Sequence, residues 1–311
     1  DKKANRLGTL LKEGFRNMAG TVRLSKSDKG FYLFINISLV CTLCILIIPI
    51  WSTITLSFRP NDFIGTALEG MFLPPWQWST AAYRSLLGHR SFLLSAVNSF
   101  KIFFEGVAAA LFLTVPLAYL LSVKNLPGRG FLYIFVIIPY LFNPGLVPNY
   151  LLVTRLGLVD KLAAVFLPGA VSVYNTLIMK SFFESLPEDL KESARIDGAS
   201  ELAILIKIIL PLSKPILMTI GLYYGVHFWN DFFNAMLYIN SSKLQPLPIL
   251  LRNILIASGM NEYVEASAFG EAPIQAIKAA SVFLAAIPML VAYPFIQKYF
   301  VKGTMLGSMK G

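Results

Sequence analysis

The chain has little of what soluble enzymes work with. Among 311 residues there are two cysteines and two histidines, and Asp, Glu, Lys and Arg together make up only 14%. Cys41 and Cys44 form a C-x-x-C pair inside the apolar run LVCTLCILII. Burial in hydrocarbon keeps a thiol protonated and unreactive, so these cysteines read as packing rather than as a redox or metal site. His89 and His227 are far apart and give no metal-ligand spacing, so no metal is expected. There is no G-x-x-x-x-G-K-[ST] loop and no Mg²⁺ constellation, which excludes nucleotide hydrolysis by this chain; it is not expected to be an enzyme. Acids are scarce beside bases, 17 against 27, for a net charge of +10. The bases form no patch interleaved with aromatics, so nucleic acid is not the expected partner.

Apolar residues are what the chain does have. They make up 56% of it, with a mean hydropathy of +0.63, too apolar for a soluble globule of this length. The expected class is an all-α membrane protein, with lipid as its surroundings. Six apolar stretches approach or exceed the roughly twenty residues needed to cross a bilayer: 31–58, 92–122, 131–153, 158–183, 212–239 and 276–300. Residues 1–30 precede them. Leu7, Leu10, Leu11, Phe15 and Met18 recur there at helical spacing among lysines and arginines, which fits an interfacial amphipathic helix or a solvated tail. Residues 59–90 form an outer loop whose Trp76 and Trp78 suit the headgroup region.

Some residues inside the spans are chemically conspicuous. Lys101 and Glu105 stand four apart in the second span and read either as a self-neutralising pair or as a functional ionisable site. The third span holds Pro139, Pro144, Gly145 and Pro148, breaks tolerated only where protein or a watery cavity satisfies the freed backbone. In the fifth, Tyr224, His227, Trp229, Asn230 and Asp231 cluster. Aromatic faces and amide or carboxylate groups of this kind line sugar routes, and an aromatic belt at the outer interface is the other reading. Asn230 and Asp231 are expected to face a cavity.

The most distinctive stretch is KESARIDGASELAILIKIILP, residues 191–211. Ser185 and Glu188 have capping-box spacing, which predicts a helix from about Leu186. Asp197-Gly198 predicts a turn, and a second helix follows with Leu202, Leu205 and Ile209 on one side until Pro211 removes a donor near Leu210. The result is a hairpin over 185–211.

This pattern resembles the EAA signature of permease subunits of binding-protein-dependent ABC importers. The likeness rests on Glu192-Ser193-Ala194, then Gly198, then Ile208-Ile209-Leu210-Pro211, with Ser193 where the signature usually has Ala. Leu186-Pro187-Glu188 and Asp197-Gly198-Ala199 resemble the carbohydrate branch, the MalG-like subunits, and the ending KYFVKGTMLGSMKG looks closest to its LplC-like subgroup, which includes permeases for alginate and other complex sugars. The resemblance implies the type I ABC importer permease fold, six transmembrane helices with a cytoplasmic coupling helix. It implies a MalF-like second permease subunit, two ATP-binding subunits carrying ATP and Mg²⁺, an extracytoplasmic solute-binding protein and a carbohydrate substrate. Glu192, Ser193, Ala194, Asp197, Gly198, Ala199, Ile208, Leu210 and Pro211 would form the coupling surface. The segment LQPLPILL around Pro248, in a long outer loop over 241–275, would reach the binding protein. Lys302, Gly303 and Gly307 in the tail 301–311, taken as extended because of its glycines, would reach the ATPases.

Six spans put both termini and the hairpin on one side. About 18 of the basic residues then fall there against about nine acids, while the other side nearly balances, so the positive-inside rule places termini and hairpin in the cytoplasm of a bacterial inner membrane. A proton-coupled secondary transporter, with His227 and Asp231 as a relay, is the alternative, and a membrane scaffold is a third.

Overall fold

The computed structural model describes residues 26–63, 66–142, 144–260 and 272–308. The expected N-terminal interfacial helix, up to residue 25, lies outside them. Among the described residues every regular element is helical. In chain order the α-helices are α1 (Lys26–Ser57), α2 (Ala67–Met71), α3 (Ala81–Gly88), α4 (Arg90–Ser122), α5 (Arg129–Leu141), α6 (Leu146–Arg155), α7 (Ala163–Phe166), α8 (Val173–Ser185), α9 (Glu188–Ile196), α10 (Glu201–Ile204), α11 (Leu210–Leu212), α12 (Lys214–Trp229), α13 (Phe232–Tyr238), α14 (Leu247–Met260) and α15 (Ile274–Ser308).

Two compact units divide at residues 52 and 53. The first contains most of α1, whose apolar side chains between Phe31 and Trp51 are exposed apart from Ile35. Cys41 and Cys44 are exposed on it as well, on the apolar helix itself and not in the interior of this chain.

Among the described residues, three stretches are long and apolar enough to cross a membrane as single helices, Gly30–Ser57, Arg90–Ser122 and Ile274–Ala292. Three more do so as bent pairs: α5 with α6, bent by 116°; Ala163–Gly169 with α8, bent by 54°; Glu201–Leu212 with α12, bent by 85°. Counting each pair once gives six. The bends have local causes. Gly145, between α5 and α6, sits at φ 84° and ψ −178°, a region open essentially to glycine alone. Pro168-Gly169 ends the first half of the next pair in a short 3₁₀ turn, Leu167–Gly169.

The core of the second unit forms where α4, α8 and α12 meet, around Ile102, Ala110, Met179, Phe183, Ile220, Tyr224 and Phe228. Glycine lets α4 and α12 approach closely. A Cβ on Gly225 would lie 2.5 Å from the Phe103 ring, and one on Gly106 would lie 2.7 Å from the Phe228 ring.

Two groups of polar contacts between distant segments lie near the two ends of α4. Near its start, Asn98 Nδ2 donates to the Lys243 carbonyl at 2.9 Å and Ser99 Oγ accepts from Leu247 N at 2.8 Å. Near its end, Tyr119 meets Glu201, and Arg129 reaches Glu184 at 2.8 Å. The helix rise puts Asn98 and Tyr119 about 30 Å apart, the thickness of the hydrocarbon core. Each contact joins segments that six alternating crossings place on the same side.

Several expected boundaries change. Lys101 and Glu105 are both exposed and do not form an ion pair; Lys preceding Glu is the weaker order on a helix. Residues 59–90 fold into α2, a 3₁₀ turn and α3. Trp78 stacks on Phe58 at 4.8 Å and donates to the Leu73 carbonyl, leaving only Trp76 exposed as an interfacial residue would be. The stretch after Ser241 is not an open loop throughout: α14 buries Leu247, Ile249 and Ile254, so part of the LQPLPILL segment belongs to the core. The helix α15 continues through Lys302, Gly303 and Gly307 to Ser308, where an extended tail was expected. Each glycine costs only about 1 kcal/mol against alanine, too little to stop a helix that is already nucleated.

Candidate functional site

The hairpin begins later than its capping-box spacing predicts. Ser185 still belongs to α8, and its hydroxyl donates back to the Phe182 carbonyl at 2.7 Å instead of capping. Leu186 is extended, as a residue before proline prefers to be, and Pro187 is the N-cap of α9. Glu188 and Asp189 then sit in the first turn, where the helix dipole favours negative charge.

At the far end of α9, Gly198 adopts φ 81°. Its N–H donates to the Arg195 carbonyl at 3.0 Å and that of Ala199 to the Ala194 carbonyl at 2.9 Å, the paired bonds of a Schellman ending. Ala194 and Ala199 both pack on the core, so the small residues hold the turn down. Ser200 caps α10, accepting from Ala203 N at 3.3 Å.

The expected apolar side of the second helix is rearranged. Leu205 and Ile209 are buried, but Leu202 is exposed and Ile204 takes the buried place. The reason is a π-helical stretch, Leu205–Ile209, whose wider turn shifts the register. Ile208 and Leu210 are half-buried against the core. The helix carries on through Pro211, just past the π-helical stretch, to Leu212, and the break comes at Ser213.

Charged side chains stiffen the hairpin. Arg195 Nε donates to Glu201 Oε1 at 2.8 Å, and its guanidinium is 3.7 Å from Glu188 Oε1. The bond to Glu201 pushes the Arg195 pKa above its already high value. Lys191, buried, donates to Glu188 Oε2 at 3.2 Å and to the Phe183 carbonyl at 3.3 Å, tying α9 to the end of α8. Tyr119 donates to Glu201 Oε2 at 2.5 Å. Glu192, Ser193, Asp197 and Gly198 are exposed, alongside Ile196 at 86%. Between α9 and the loop at residues 123–127 lies a cavity of about 610 Å³ bordered by Tyr119, Lys124, Glu192 and Glu201.

The fifth-span cluster separates into three places. Tyr224 and His227 border a cavity of about 820 Å³ together with Ser172, Tyr174, Asn175 and Tyr223. The Tyr224 hydroxyl accepts from Ser172 N at 2.8 Å and shares a 2.8 Å hydrogen bond with Thr114 Oγ1. It thereby satisfies a backbone group freed where the span before α8 breaks. Trp229 and Asn230 border a separate groove of about 380 Å³ with Ala285 and Met289. Trp229 is buried, with its indole N–H donating to the Ala285 carbonyl at 3.1 Å, so it is not part of a lipid-facing belt. Asp231 borders neither cavity: it caps α13, accepting from Asn234 N at 3.0 Å and Asn234 Nδ2 at 2.7 Å. The helix carrying His227 ends at Trp229, so His227 and Asp231 do not share the helical face that a relay at i and i+4 requires.

Sequence reasoning missed Tyr119, Ser172, Ile196 and Asp160. The first two are ordinary polar residues whose partners lie 82 and 52 positions away. Asp160, at φ 60°, accepts from Asn240 N at 3.0 Å, from Ser241 N at 2.8 Å and from the Ser241 hydroxyl. Its own N–H donates to the Tyr238 carbonyl at 2.8 Å, so it pins the turn before α7 to the end of α13.

The sequence that folds into this hairpin and these bent apolar helices matches a known family model, the binding-protein-dependent transport system inner membrane component, over residues 18–305. The chain belongs to this family. The permease is 42% identical over 247 residues to protein LplC of Bacillus subtilis (strain 168), covering 79% of this chain and 83% of the relative. It is 39% identical over 284 residues to the polygalacturonan/rhamnogalacturonan transport system permease protein YtcP of the same organism, covering 91% and 96%. Among solved structures it is similar, with a TM-score of 0.81 and 29% identity over 89% of this chain and 98% of that one, to a chain of a bacterial ABC transporter involved in the import of the acidic polysaccharide alginate. The fold is therefore that of a type I ABC importer permease.

Proposed function

We propose that this permease is one transmembrane subunit of an ABC importer that brings an acidic oligo- or polysaccharide into a bacterial cytoplasm. The observation that carries the reading is the α9–α10 hairpin, which exposes Glu192, Ser193, Ile196, Asp197 and Gly198 while its other face is anchored in the core. Such a surface is suited to be gripped and moved as a body. Two ATP-binding subunits, holding ATP and Mg²⁺, supply the energy. A MalF-like second permease subunit completes the pathway, and an extracytoplasmic binding protein delivers the sugar. Both termini and the hairpin face the cytoplasm. The cavity at Tyr174, Asn175, Tyr223 and His227 contributes this chain's part of the route.

The relatives support an acidic substrate: YtcP is named for polygalacturonan and rhamnogalacturonan, and the solved neighbour for alginate. The assembled complex in proteoliposomes, supplied with its binding protein and either oligogalacturonate, alginate oligosaccharides or neutral malto-oligosaccharides, tests it. Stimulation of ATP hydrolysis by an acidic sugar is expected. Stimulation by neutral sugars alone overturns the substrate, and uptake driven by a proton gradient without ATP overturns the class.

A further inference from the structure

We infer that α4 is a brace across the elbow that joins the hairpin to the cavity, and that Tyr119 and Thr114 are its two fastening points. The inference rests on the coupling role proposed above. One arm of the elbow is Glu201–Leu212, the other is α12, and they meet at Ser213 at 85°. An elbow joined only through one backbone turn would flex when the hairpin is pushed, and the push would be lost there. Here a third helix is hydrogen-bonded to both arms. Tyr119, near the end of α4, donates to Glu201 Oε2 at 2.5 Å on the first arm. Thr114 Oγ1 lies 2.8 Å from the Tyr224 hydroxyl on the second.

The same Tyr224 hydroxyl accepts the Ser172 N–H at the rim of the cavity. A displacement of Glu201 is thereby passed along α4, rather than around the bend, to the break in the span that borders the cavity. Thr114 is fully buried, Tyr119 nearly so, and the glycine contacts at Gly106 and Gly225 keep α4 and α12 in close register above the brace. Pro116 lies between the two fastening points and removes one rung of the α4 ladder. Tyr119 and Thr114 are positioning residues: neither has to touch sugar or nucleotide.

The test uses the full complex carrying Cys41→Ser, Cys44→Ser and a reporter Tyr174→Cys in the cavity. Maleimide labelling is followed with and without ATP and vanadate. The parent complex should change its labelling rate on trapping. In Thr114→Val and in Tyr119→Phe that change should shrink by about fivefold or more while ATP hydrolysis stays within about twofold, and Thr114→Ser should restore it. Equal responses in parent and both variants overturn the brace. A parent with no response to ATP and vanadate overturns the coupling reading itself, and with it the brace. If Thr114→Val fails to assemble, Tyr119→Phe at the opposite fastening point decides alone.

Discussion

Arg195 Nε lies 2.8 Å from Glu201 Oε1, so the two helices of the hairpin are tied to each other across the turn that separates them. Glu201 uses its other oxygen for Tyr119, which makes one carboxylate the junction between hairpin and bundle. Exposed ion pairs contribute about 0–1 kcal/mol each, so the tie matters for direction of movement more than for stability.

Gly198 should be replaceable by asparagine and by little else. A Cβ there meets nothing within 4 Å, so the obstacle is the backbone at φ 81° and not crowding within this chain. A β-branched residue should cost about 1–2 kcal/mol, and asparagine much less. Sugar uptake per ATP hydrolysed should survive Gly198→Asn and fall in Gly198→Val; equal coupling in both removes the turn from the mechanism.

Replacing Asp231 by alanine should lower stability without abolishing transport. Its carboxylate caps α13 through Asn234, and loss of such a cap costs about 1 kcal/mol. Thermal melting of the purified complex alongside uptake distinguishes the two effects. Loss of uptake at unchanged stability would return Asp231 to the pathway.

Asp160 predicts a pH dependence. Hydrogen bonds from the Ser241 hydroxyl, then from Ser241 N and Asn240 N, hold its pKa below the ordinary aspartate value. A depressed folded-state pKa contributes stability that is present above the unfolded value, about 3.9, and is lost as pH falls through the lowered one. Asp160→Asn preserves tolerance of positive φ and an oxygen for the Asn240 and Ser241 N–H groups, while the charged oxygen facing the Ser241 hydroxyl becomes an amide N–H donor. Its melting temperature should lie below that of the parent at neutral pH, with the gap closing in acid. A gap independent of pH would assign the effect to shape alone.

Ser213 should tolerate loss of its hydroxyl. The oxygen is fully buried at the elbow with no hydrogen-bond partner among the described residues. Ser213→Ala relieves that desolvation and should be neutral or stabilising by about 1 kcal/mol, read by melting temperature. A clear loss of stability would show that the hydroxyl is bonded in the assembled complex.

The hairpin was legible because its signals are local. Asp197-Gly198 determines a turn within a few residues, and it closes as expected; the cap that Ser200 supplies to the next helix was not anticipated. The start was misread because Ser185 offers the same spacing to a cap or to the preceding helix, and only the length of α8 decides between them. The cluster in the fifth span was recognised as special, but its members were grouped by adjacency. Three-dimensional packing sends Tyr224 to brace a broken helix, Trp229 to the Ala285 carbonyl and Asp231 to a cap.

Composition and hydropathy by themselves determined a helical membrane protein with six apolar stretches, because a backbone in hydrocarbon must satisfy its own hydrogen bonds and apolar runs of about twenty residues or more do so as helices, being far longer than a barrel strand needs. Local residues, Gly145 and Pro168-Gly169, mark two of the breaks, but the angles, 116°, 54° and 85°, were decided by tertiary structure. A break is stable only where a distant group replaces the lost rung. The Tyr224 hydroxyl at Ser172 N is such a group, and no window of adjacent residues contains both.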